Sequence, residues 1–122
     1  MKIDRLHVGA RLSEASIHRG IIHLAGQVAE RDPDAAIEAQ TREVLGPVER
    51  LLGECGSSKA HLLSVQIFLA DIADIAAMNT VWDAWVVPGA TPPRATVQAA
   101  LADPRWRIEV VVTALQFEEQ LR

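Results

Sequence analysis

The sequence predicts an α+β sandwich: a mixed β-sheet with two helices packed on one face, its elements ordered β-β-β-α-β-α-β-β. Three observations lead there. Short segments rich in strand-forming residues crowd the N-terminal part ("IDRLHVG", "EASIH", "IIHLAG"). Two later stretches change to an apolar spacing of three to four residues. Between them lies "HLLSVQIFLAD", an apolar run without polar alternation. With 122 residues and 49% apolar content, the chain can build the core of one domain spanning 1–122.

The elements follow in order. Arg19-Gly20 joins the second and third strands as a two-residue hairpin turn, the glycine being free to take positive φ. In "RDPDAAIEAQTREVLGPVERLLGECG", Asp32 is placed to cap a helix and Pro33 to occupy its first turn. Ile37, Thr41, Val44, Val48, Leu51 or Leu52 and Cys55 share a face, Pro47 is expected to kink the helix near Gly46, and Gly56 ends it. The run 61–71 reads as a central strand buried on both faces. "DIADIAAMNTVWDAWV" is a second helix, capped by Asp71, with Ile75, Met78, Trp82 and Trp85 on its packed face. Pro88-Gly89 stops it.

The chain closes with "PPRATVQAALADPRWRIEVVV", read as a strand from Arg94 to Leu101, a turn at 102–105 and a strand from Trp106 to about Gln116. As a hairpin, this pairs Gln98 with Glu109 and Arg94 with Thr113. Alternation then sets Arg94, Thr96, Gln98, Arg107, Glu109 and Thr113 on one face, and Val97, Leu101, Trp106, Ile108, Val110 and Val112 on the other. The apolar face is expected to meet the helices. The polar face, with nothing in the chain left to cover it, is expected to meet water or another copy of the protein. In this register Arg94 and Glu109 lie roughly 13 Å apart, so both reach one small ligand only if a bulge, twist or neighbouring chain closes the gap.

Composition narrows the chemistry. Twelve Lys and Arg against sixteen Asp and Glu give a formal charge of -4, the wrong sign for binding through phosphates, so no nucleic-acid partner is expected. No apolar run approaches the ~20 residues that span a bilayer, and "MKIDRLHVG" lacks the apolar core of a signal peptide. A lone cysteine, Cys55, fits a reducing compartment and a packing role, and a cytoplasmic location is expected. His18 and His23 flank a turn but have no third ligand to make a metal site. No cofactor is called for.

The pattern Pro93-Arg94-Ala95-Thr96-Val97, then Arg107-Ile108-Glu109, with "LAGQVA" early and "IFLADIADIAAMNTVWDAW" in the middle, resembles the RidA family, also called YjgF, and within it the YoaB-like branch. The likeness covers nearly the whole chain. It implies a chorismate-mutase-like fold and a homotrimer with clefts between subunits. It also implies an activity, hydrolysis of reactive 2-imino acids such as 2-iminopropanoate and 2-iminobutanoate to 2-keto acids and ammonia. By that resemblance Arg94 grips the substrate carboxylate, Glu109 positions the attacking water, the Thr96 backbone N–H assists, and Gly26 lets backbone approach the ligand. Leu12 and Ala25 stand where the family's archetype carries a tyrosine and a serine; both changes remove a hydroxyl, which favours a less polar or larger substrate or weaker activity on the standard one. Asn79 matches a family asparagine, whose role is tying down a neighbouring loop or touching substrate.

The chemistry is coherent on its own terms. A guanidinium presents two parallel donors to a carboxylate, and a carboxylate within about 3 Å of a water can take its proton and return one to departing ammonia. By spacing alone, an Arg and a Glu on neighbouring strands read instead as a cross-strand ion pair on a solvated face. Two further functions stand beside the deaminase: a trimer that binds a small carboxylate without turning it over, and the ribonuclease or translation-inhibitor activity attached to some relatives, against which the acidic balance counts.

Overall fold

Strands β1 (Asp4–Val8), β2 (Ser13–His18) and β3 (Ile21–Leu24) open the computed structural model, which describes residues 2–121, as an antiparallel meander. Arg19 and Gly20 take φ of 51° and 81°. Two successive positive values make the tight turn whose twist suits the flanking strands. After β3 come a two-residue strand β4 (Gln27–Val28), helix α1 (Ile37–Glu54), strand β5 (Leu62–Leu69), helix α2 (Ile75–Trp85), and strands β6 (Arg94–Gln98) and β7 (Ile108–Leu115). The sheet order is β1-β2-β3-β7-β5-β6, with β4 also on β7. Only β5 and β6 run parallel. The predicted α+β architecture is present, with β4 added to the expected order.

Both helices cover one face. From the sheet, Ile22, Val65, Ile67, Ile108, Val110 and Val112 meet Val44, Val48, Leu51, Leu52 and Met78 of the helices, each at most 2% exposed. The expected face of α1 is the buried one, Cys55 included. Burial, and after it the charge of Glu54, push the Cys55 thiol above its ordinary range, in keeping with a packing role. Gly56, at φ 76°, ends the helix: its N–H donates to the Gly53 carbonyl and that of Ser57 to the Leu52 carbonyl.

The start of α1 differs from expectation. Residues 32–35 form a turn, and the helix begins at Ile37 behind Ala36, which provides no side-chain cap. The Glu43 carboxylate instead accepts the N–H groups of Arg31 and Asp32, both at 2.9 Å, so the entry is fixed from inside the helix. The helix continues through Pro47. Gln40, fully buried, was not foreseen as a structural residue. Its amide nitrogen lies 2.9–3.1 Å from the carbonyls of Pro33, Ala35 and Arg105, and its oxygen accepts the Arg107 N–H at 2.8 Å. One side chain thus joins the entry of α1 to the approach to β7.

Two expectations about the sheet are corrected. The strand predicted to be buried on both faces, β5, is interior to the sheet but covered on one side only: Val65, Ile67 and Leu69 are buried, while Leu63, Ser64 and Gln66 are exposed. The closing pair of strands is not a hairpin either. Both β6 and β7 pair with β5, which lies between them, so neither Gln98 with Glu109 nor Arg94 with Thr113 is a pair. The turn at 102–105 is real, with Asp103 accepting the Arg105 N–H at 2.8 Å, but it links strands that are not neighbours. The strand–helix–strand unit from β5 through α2 to β6 is what sets β6 parallel and at the edge.

Candidate functional site

The corrected pairing moves the site residues. Arg94, Thr96 and Gln98 lie opposite Val65, Ile67 and Leu69, all buried under the helices, so these three face the helix layer and not the bare face. The Gln98 carboxamide oxygen accordingly accepts the Ile72 N–H at 2.9 Å. Val97, expected in the core, is 47% exposed on the open face because it shares a row with Phe68. Arg107, expected beside Glu109, precedes β7 and turns to the helix layer, with Nη2 3.0 Å from Asp74 Oδ2.

Arg94 is half-buried. Its guanidinium carbon lies 5.2 Å from the centroid of the Trp82 ring, and Nη1 is 4.0 Å from the Met78 sulfur. No carboxylate pairs with it among the described residues. Two residues on, the Thr96 hydroxyl oxygen is buried without a hydrogen-bond partner, and so is the Asn79 side-chain oxygen on α2. The ladder phase fixes the Thr96 amide. Val65 donates to the Pro93 carbonyl and Ala99 to that of Leu69, so the odd-numbered residues of β6 bond β5, and the N–H groups of Arg94, Thr96 and Gln98 point off the open edge. Arg94 and Thr96 therefore share the helix-facing side of the β6 edge, while Asn79 sits on α2 next to Met78, the residue that touches the arginine.

Glu109 belongs to a second group. It sits on β7 opposite Val28 and Phe68, on the side away from the helices. Here β3 and β4 run along β7 with an interruption: His23 pairs with Thr113 and Gln27 with Val110, so four steps on one strand answer three on the other. This is a bulge with one surplus residue. It falls at Ala25-Gly26, and a Cβ built on Gly26 would overlap the Glu109 carboxylate. Glycine is what gives that carboxylate its niche. Leu12, 59% exposed, and Ala25 line with Gly26 a cavity of about 620 Å³ whose far wall is α1 at Gly46 and Pro47.

The sequence-predicted residues thus divide: Arg94 and Thr96 face the helix layer, to which Asn79 belongs, Glu109 lies on the bare side against Gly26, and Leu12 and Ala25 line the cavity that reaches to α1. Arg94 stands opposite Val65 and Glu109 opposite Phe68, which separates their backbones by three residues along β5 and two strand spacings, about 14 Å. One chain does not bring the two onto one small molecule. Met78 and Trp82, expected only as core, are the residues that flank the arginine; their helical spacing signals burial and gives no hint of that contact. His18 donates its Nδ1–H to the Lys2 carbonyl, 2.9 Å away, and among the described residues no three His, Cys, Asp or Glu side chains gather as a metal-binding group.

Comparison with known proteins fits this architecture. The family described as Endoribonuclease L-PSP matches residues 2–116. A RutC family protein of Haemophilus influenzae is 48% identical, covering 93% of this chain and 98% of that one. The RutC family protein YoaB of Escherichia coli is 41% identical over the same shares. A crystal structure of a YjgF-family member from Neisseria meningitidis superposes with a TM-score of 0.93 at 46% identity, covering 97% of this chain and 98% of that one. Among the described residues no helix is long and apolar enough to cross a membrane. A match over nearly the whole chain, in sequence and in fold alike, makes this protein a member of the YjgF family, known also as RidA, RutC or endoribonuclease L-PSP.

Proposed function

We propose that copies of this chain assemble, as a homotrimer, into clefts that hydrolyse reactive 2-imino acids to 2-keto acids and ammonia. The observation that carries this reading is Arg94, a half-buried guanidinium without an acidic partner among the described residues, with an outward N–H at Thr96 beside it. A charged group so placed is suited to an anionic ligand of planar, two-oxygen form. The separation of Arg94 from Glu109 supports the subunit cleft: a second copy, approaching the open edge of β6, supplies the carboxylate that the first cannot. The exposed face bearing Leu63, Gln66, Phe68 and Val97 offers the surface for that association.

In the cleft, Arg94 holds the substrate carboxylate and orients the adjacent imine carbon. Glu109 of the neighbouring copy takes a proton from water as its oxygen bonds to that carbon. Glu109 then returns that proton to the nitrogen of the tetrahedral carbinolamine and takes the hydroxyl proton as the C–N bond breaks, which releases ammonia and leaves the keto group. The Thr96 N–H steadies the substrate oxygen. Leu12 and Ala25 give the pocket an apolar lip, which suits side chains larger than methyl.

The test generates the imine with an amino-acid oxidase or a threonine dehydratase and traps it with semicarbazide. Wild-type protein is expected to lower the trapped imine, and the Arg94→Ala variant to leave it unchanged. Trapped imine unaffected by either protein would overturn the enzyme reading and leave the alternative, a module that binds a small carboxylate without turning it over. Salt-sensitive RNA binding is the result that would favour the nuclease reading, which the charge of -4 disfavours.

Gly26→Ala probes the niche separately. The new methyl meets the far end of a flexible side chain, so the fold should tolerate it while the Glu109 carboxylate is displaced. A drop in kcat of about 100-fold is expected from a misplacement on the order of 1 Å, with little change in melting temperature. An unchanged kcat would separate Glu109 from the chemistry.

A further inference from the structure

We propose that Trp82 is the positioning residue of the carboxylate clamp, holding the Arg94 guanidinium by its π face so that the in-plane N–H donors, apart from the Nη1 hydrogen turned to the Met78 sulfur, stay free for ligand; the inference rests on reading Arg94 as that clamp. The contrast with other arginines carries it. Arg50, Arg105 and Arg107 are tied down by acids, namely Glu54 at 3.4 Å, Asp103 at 2.9 Å and Asp74 at 3.0 Å. Arg94 is tied down by a ring, 5.2 Å from its centroid, and by the Met78 sulfur. An acidic partner would occupy the donors that a ligand carboxylate needs. An aromatic face attracts the cation through its quadrupole and uses none of them.

Trp82 is itself braced. It is 6% exposed, and its ring lies 5.5 Å from that of Trp85. Trp85 in turn donates its indole N–H to Glu49 at 3.1 Å and carries Lys59 over its ring at 5.3 Å. Glu49 is on α1, so the orientation of the arginine is referred back, through two indoles, to the other helix. A core position alone asks only for apolar volume there, which leucine would provide. The ring over the guanidinium is the additional feature.

The experiment follows the Arg94 Nε–H resonance by NMR, assigned through its loss in Arg94→Lys, while 2-oxobutanoate is titrated into wild type, Trp82→Leu, Trp82→Phe and Val48→Ala. In Trp82→Leu the resonance should lose its ring-current shift and Kd should rise about tenfold. Trp82→Phe should stay within about threefold of wild type, because a smaller ring keeps the cation–π contact. Val48→Ala, a core truncation on α1, should be destabilised yet bind normally. A Trp82→Leu protein that binds like wild type, or a Val48→Ala protein that weakens as much, overturns the inference. If wild type binds the keto acid but hydrolyses no imine, only the reaction falls; if it binds no keto acid, the clamp and this inference fall together.

Discussion

Mixing two dead enzymes should revive one. Arg94→Ala and Glu109→Ala chains, each expected to lose about 10²–10³-fold in kcat/KM, should regain about a quarter of wild-type activity when unfolded together in equal amounts and refolded. The fraction follows from the geometry. Arg94 and Glu109 of one chain sit on opposite sides of the sheet, so in the proposed assembly a cleft takes the arginine from one copy and the glutamate from the next. With random assembly, the first copy carries an intact Arg94 half of the time and the second an intact Glu109 half of the time. Measuring imine hydrolysis across mixing ratios checks this. A mixture as inactive as its components would mean that each site is built within one chain, against the separation of about 14 Å inferred from the register.

The second large effect concerns stability. Gln40→Leu keeps roughly the volume of a fully buried side chain but strips the partners from the Arg107 N–H and from the carbonyls grouped around the amide, among them that of Arg105. Buried polar groups left unpaired cost about 1–3 kcal/mol each, and at least two are orphaned here, so a loss of about 3 kcal/mol or more is expected. Urea unfolding at fixed protein concentration reads it as a lower midpoint with an unchanged slope. A midpoint within error of wild type would mean that water reaches these groups and that Gln40 is replaceable.

Local patterning carried most of the fold. The helical faces of α1 and α2, the Arg19-Gly20 turn and the glycine stop at Gly56 are set by residues within a few positions of one another, and periodicity reports them faithfully. Pairing across the sheet is set by segments far apart in the chain. The turn at 102–105 looks like a hairpin loop because Asp103 and Pro104 make a tight turn whatever follows it. Nothing local says that β5 lies between the strands it joins. That single error put Arg94 on the wrong face and Val97 in the core, since alternation carries a wrong pairing through the whole strand. For the site, residue types were legible and their grouping was not: Arg94 and Glu109 were picked out in the sequence, but the indole beside the arginine and the glycine beneath the glutamate became visible only once the chain was folded. Gln40 was missed for the same reason, because a glutamine within a helical face reads as solvent-exposed unless its distant carbonyl partners are known.

The surplus residue at Ala25-Gly26 carries a cost and a use at once. Shortening the chain by one position there would let β3 and β4 zip onto β7 without a break, gaining ladder bonds, and would close the gap into which the carboxylate now fits. Evolution toward a tighter sheet and evolution toward a working cleft therefore pull in opposite directions at this spot, and single-codon deletions here should emerge as sturdier proteins with nothing left to do.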